Sequence, residues 1–81
     1  MNSIWSVENM TKPSEIIKKI RTEAGLTQEE FAHAISSTMT TVNRWENDKS
    51  TPNRMAKALL IAFCENKKFN KALIEEVRNI R

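Results

Sequence analysis

The 81-residue chain carries 13 Lys and Arg against 10 Asp and Glu, for a formal net charge of +3. That length gives one core near the lower limit of independent stability and leaves no room for a second domain. A single Cys excludes an intramolecular disulfide, and the chain lacks both an apolar run of about 18 residues and a secretory hydrophobic region, so the cytoplasm is the expected setting.

In chain order, residues 1–12 form a segment without clear period, although Ile4, Trp5, Val7 and Met10 are too apolar for a typical solvated tail. The folded domain is expected over residues 13–81. Pro13 suits the start of a first helix, with Ser14 as an alternative cap, and Ile16, Ile17, Ile20 and Ala24 make its apolar stripe. Gly25 ends that segment. Thr27 and Glu30 have the Thr-x-x-Glu spacing of a capping box, which predicts a second helix from Gln28. Its apolar positions Phe31, Ala32 and Ile35 give way at Ser36 and Ser37, so this helix is short and turns early.

Thr38 can cap a third helix that faces Val42 and Trp45 inward and leaves Met39, Thr40, Thr41, Asn43 and Arg44 for the outside. A merely solvated face would carry more Lys and Glu. Small hydrogen-bonding groups instead suit base edges, which present donors, acceptors and the thymine methyl group. Asn47 to Thr51 read as a polar loop, after which Pro52 falls in the first turn of a fourth helix marked by Met55, Leu59, Ala62 and Phe63. The pattern breaks at Glu65 to Lys68. A fifth helix is expected from about Asn70, with Phe69, Leu73, Val77 and Ile80 on one side. Five helices and no strand place the chain in the all-α class.

The stretch from Arg21 to Pro52 resembles the helix-turn-helix of the Cro and phage-repressor class, also called the xenobiotic-response-element family. The resemblance rests on Arg21, Gly25-Leu26-Thr27-Gln28, Glu29-Glu30-Phe31-Ala32, Thr38, Val42, Arg44-Trp45-Glu46, Lys49 and Pro52, in order and without a gap. It implies a compact five-helix repressor-like domain. Ser36 and Asp48 stand where the family usually has Gly, at positions that often need a left-handed backbone. Met39 and Thr40 replace the Gln or Arg often found at the start of the recognition helix, which weakens the expectation of base discrimination there.

The resemblance also implies roles. Gln28 matches the family residue that bonds a DNA phosphate, its alternative being an ordinary first-turn polar residue. Arg21 and Glu46 match a partly buried ion pair joining the first helix to the recognition helix. On the face expected in the major groove, Thr38, Met39, Thr40, Thr41, Asn43 and Arg44 are candidate DNA contacts. Arg44 has the fork for guanine, Asn43 the amide for adenine, and Thr40 or Met39 the apolar surface for a thymine methyl group. Asn47, Lys49 and Arg54 follow the helix and suit the phosphate backbone. Trp45 reads as a core anchor, His33 as an exposed residue and Cys64 as a small buried hydrophobe. One His and one Cys offer no zinc set, and neither a cofactor nor an enzyme is expected.

Charge follows the same division. Residues Met1 to Ile35 hold four basic and five acidic groups, Ser36 to Ala58 four and two, and Leu59 to Arg81 five and three, so the basic excess begins with the third helix. The expected function is a sequence-specific transcriptional regulator that reads double-stranded DNA with residues 38–46. Pairing as a homodimer is expected through Ile74 and Ile80 of the fifth helix. The rival is an antitoxin or protein-interaction module on the same fold, with residues 4–10 or the fifth helix docked on a protein partner. A recombination or excision accessory factor is a weaker third.

Overall fold

Pro13 is the first helical residue of the computed structural model, which describes residues 12–80. The chain folds into α1 (Pro13–Glu23), α2 (Gln28–Ala34), α3 (Met39–Glu46), α4 (Arg54–Asn66) and α5 (Lys71–Arg78), with no strand among the described residues. The segment 1–11, including Ile4 to Met10, lies outside them.

Most of the helix starts are written in side chains. Proline's fixed φ begins α1, which has no side-chain cap. Thr27 and Glu30 form both halves of the capping box: the Glu30 N–H donates to Thr27 Oγ1 at 3.1 Å, and the Thr27 N–H donates to Glu30 Oε1 at 2.9 Å. Thr38, Asn53 and Asn70 accept first-turn N–H groups of α3, α4 and α5. Each such cap stabilises its helix by about 1 kcal/mol. Ser14 is not a cap. It is the second residue of α1 and is buried, because Pro13 takes the first helical position.

The first four helices end alike, in Schellman motifs whose left-handed residues are Gly25, Ser36, Asp48 and Lys68, with φ of 73°, 57°, 61° and 60°. After α2, the Ser37 N–H donates to the Ala32 carbonyl and the Ser36 N–H to that of His33. After α3, Lys49 and Asp48 bond Arg44 and Trp45 in the same pattern. The left-handed turns expected at Ser36 and Asp48 are therefore present, in residues that adopt this conformation at a cost of roughly 1 kcal/mol.

One core collects Ile16, Ile17 and Ile20 of α1, Phe31 and Ala32 of α2 with Ile35, Val42 and Trp45 of α3, Leu60, Phe63 and Cys64 of α4, and the α5 residues with Ile80. The α4 register differs from the sequence expectation. Leu60, Phe63 and Cys64 point inward, whereas Met55, Leu59 and Ala62 are exposed, Met55 by 73%. Both registers are apolar at helical spacing. Phe63 is common to both, and its ring meets Phe31 edge-on at 5.3 Å and Phe69 at 6.2 Å. Pro52 is buried but precedes the Asn53 cap, outside the first turn of α4.

The packing of α5 also differs from the sequence expectation. Ile74 and Ile80, expected as surplus apolar surface for dimerisation, are both buried in the monomer beside Leu73 and Val77. The helix packs on α1 and α4 together, so more of its circumference is covered than a single-sided stripe would require. Its C-terminal end is tied down by Lys57, whose ammonium donates to the Ile80 carbonyl.

Candidate nucleic-acid interface

Val42 and Trp45 lie in the core and set the rotation of α3, so that Met39, Thr40, Asn43 and Arg44 are exposed on the other side. Met39 is 51% exposed. Thr38 and Thr41 sit at the start of this helix with their hydroxyls committed to each other at 3.0 Å, while Thr38 Oγ1 also accepts the Thr41 N–H. Their hydroxyls are thus tied into the cap.

Arg21 of α1 holds the other end of α3. Its Nε and Nη2 donate to the two oxygens of Glu46 at 2.7 and 3.0 Å, and Nη1 donates to the Leu26 carbonyl at 3.0 Å. The side chains are only 16% and 4% exposed, respectively. The hydrogen bond to Glu46 raises the Arg21 pKa above its already high ordinary value, so the guanidinium remains charged. A two-pronged contact of this kind fixes direction as well as distance. It locks α3 against α1 at the residue next to Trp45.

Gln28, at the first position of α2, is half-buried between α2 and α3. Its Nε2 donates to Glu46 Oε1 at 3.0 Å, and its Oε1 accepts from Asn43 Nδ2 at 3.2 Å. Asn47 Nδ2 donates to the Asn43 carbonyl at 2.8 Å. Arg44 is turned toward the loop beyond α3, with Nη2 at 3.5 Å from the Lys49 carbonyl. Lys49 and Arg54 are exposed on either side of Pro52, and Lys12 approaches Asp48 at 3.9 Å across the surface. The structure therefore brings Gln28, Asn43, Arg44, Asn47 and Lys49 around the outward face of α3, with Arg54 opening the next helix.

A helix-turn-helix family profile matches residues 17–63, more than half of the chain. The chain belongs to the Cro and phage-repressor class of helix-turn-helix domains. No curated protein and no solved structure matches it. The family is a DNA-binding one, and the match takes in α2, the turn and α3 entire.

Two features of this helix-turn-helix domain have no local signal in the sequence. One is the set of bonds linking Gln28, Asn43 and Glu46, whose members are 15 and 18 positions apart and carry no spacing signal. The other is a shallow groove beside the turn, lined by Ile35, Trp45, Met55 and Leu59 among others, which exists because α4 faces outward at Met55 and Leu59. His33 is exposed and Cys64 is buried. Burial pushes the Cys64 thiol up to about 11, a setting for an inert hydrophobe rather than a nucleophile. Among the described residues, no group of His, Cys, Asp and Glu could hold a metal ion, and no helix is long and apolar enough to cross a membrane.

Proposed function

We propose that this domain is a sequence-specific transcriptional regulator that lays α3 in the DNA major groove. The observation that carries the reading is the exposed face Met39, Thr40, Asn43 and Arg44 on a helix fixed from behind by Trp45 and by the Arg21 to Glu46 pair. Such a face offers an amide, a guanidinium and thymine-sized apolar surface together. Asn47, Lys49 and Arg54 flank it and supply phosphate contacts. Gln28 keeps one amide hydrogen for a phosphate while its other polar atoms serve Glu46 and Asn43. Thr38 and Thr41 contribute methyl groups or backbone at the helix start.

An eight-residue recognition helix is about 12 Å long and meets only about four base pairs, so useful specificity calls for two copies on a palindromic site. Ile74 and Ile80 are buried in the monomer and lend no exposed apolar surface to that pairing. The exposed apolar groove at Met55 and Leu59 supports the alternative reading, an antitoxin or protein-interaction module on the same fold. Selection of bound sequences from a random DNA pool tests the proposal. An enriched palindrome with one preferred half-site supports it, and a pool that remains random after repeated rounds contradicts it.

A further inference from the structure

From the buried ion pair to the exposed face of α3 runs a chain of hydrogen bonds with only one possible polarity. A carboxylate accepts and cannot donate, so the Gln28 side chain must turn its NH2 toward Glu46 Oε1, as it does at 3.0 Å. That choice points the Gln28 carbonyl oxygen the other way. An amide oxygen also only accepts, so Asn43 in turn must present its NH2, at 3.2 Å. The ordinary ambiguity of an amide side chain, whose two ends have nearly the same shape, is thereby resolved by a charge two residues away in the network.

What remains of Asn43 is then defined. One Nδ2 hydrogen and the Oδ1 acceptor are left for the groove. Adenine offers N6–H and N7 to such a pair, whereas guanine offers two acceptors, O6 and N7, and would leave the Asn43 oxygen without a donor. We propose that Gln28 is a positioning residue that fixes the Asn43 carboxamide as an adenine reader, its own orientation being set by Glu46. This rests on the reading of α3 as the recognition helix. It differs from a phosphate-anchor role for Gln28 alone, because an anchor contributes equally on every sequence.

The test compares wild type, Gln28→Met, Gln28→Lys and Asn43→Ala on the selected site and on sites with the Asn43-dependent adenine replaced by guanine or by 7-deazaadenine. That adenine is the position whose preference Asn43→Ala abolishes. Gln28→Met keeps the volume and loses both bonds. Gln28→Lys keeps a donor for Glu46 but cannot accept from Asn43, so it would rescue a purely structural role and leave the positioning role broken. The expected result is that both Gln28 variants lower the adenine-to-guanine affinity ratio roughly tenfold, the scale of one good amide-to-base pair. Both should also lose most of the penalty for 7-deazaadenine, and adding either to Asn43→Ala should change the ratio no further. Melting curves identify any variant that fails to fold, and the other then decides. Retention of the adenine preference in a folded Gln28 variant overturns the positioning role while leaving the DNA-binding reading intact. A wild-type protein that selects no sequence overturns both.

Discussion

Arg21 and Glu46, 25 positions apart in sequence, meet through two hydrogen bonds of 2.7 and 3.0 Å in a nearly closed environment. Removing one member leaves the other charged and largely screened from water, which costs more than the intact pair contributes. Glu46→Ala is therefore expected to destabilise the fold by about 2–4 kcal/mol. Chemical denaturation monitored by circular dichroism measures it, and unchanged stability would mean that Arg21 finds water or another partner at no cost.

Ile74 and Ile80 belong to the monomer core, and a lysine at either site must bury a charge or displace the C-terminal segment. Ile74→Lys and Ile80→Lys should each cost at least about 3 kcal/mol. Loss of the folded signal at all protein concentrations is the expected result. A folded monomer that had merely lost self-association would return α5 to the role of dimer interface.

The left-handed residues give a prediction of opposite sign. Ser36 and Lys68 hold φ near 60° with a side chain attached, whereas glycine adopts that conformation freely. Ser36→Gly and Lys68→Gly should each raise stability by roughly 0.5–1 kcal/mol, the relief of the left-handed strain less the added freedom of the unfolded chain. Gly25→Ala should lower it, although an added Cβ would meet nothing within 4 Å, because the penalty lies in the backbone. A decrease in melting temperature for both glycine variants would contradict this account of the turns.

Cys64 makes stability depend on alkaline pH. Burial raises its thiol to about 11 in the folded protein, above the ordinary value near 8.5–9 in the unfolded chain. The folded state thus holds the proton more tightly, and this contribution is complete below about pH 8.5 and is lost as pH rises toward 11. Compared with Cys64→Ala, wild type should lose stability more steeply across that window. Its thiol should react with a disulfide reagent at pH 8 only as fast as the protein opens, and rapid labelling of the folded protein would show an accessible thiolate.

Local signals carried most of the fold. The capping box at Thr27 and Glu30 and the caps at Thr38 and Asn70 depend on residues within three positions, and the inward pair Val42 and Trp45 follows from helical period alone. The α4 register does not, since Leu59 and Leu60 are adjacent and each heads an apolar row, and only packing within the common core separates buried Leu60 from exposed Leu59. The burial of Ile74 is hidden for a related reason: Phe69, Leu73, Val77 and Ile80 already make a one-sided stripe, whereas contact with two helices covers Ile74 as well. Within the candidate site, the outward face of α3 was legible. The bonds from Gln28 to Glu46 and Asn43 were not, because polar side chains at such separations reveal their partners only once α2 and α3 are packed.

If α3 reads bases while its flanks hold the phosphate backbone, parallel titrations of Arg44→Ala and Lys49→Ala separate the two roles most directly. Each variant is titrated against the preferred and a scrambled duplex at several salt concentrations. Arg44 is exposed on the reading face, so its truncation should cost about 1–3 kcal/mol on the preferred site and relax discrimination there. Lys49 lies in the loop beyond the helix, so Lys49→Ala should weaken both duplexes alike and reduce the salt slope by about one. Sequence preference left untouched by Arg44→Ala would contradict base reading by this side chain and would favour a protein partner for the same surface.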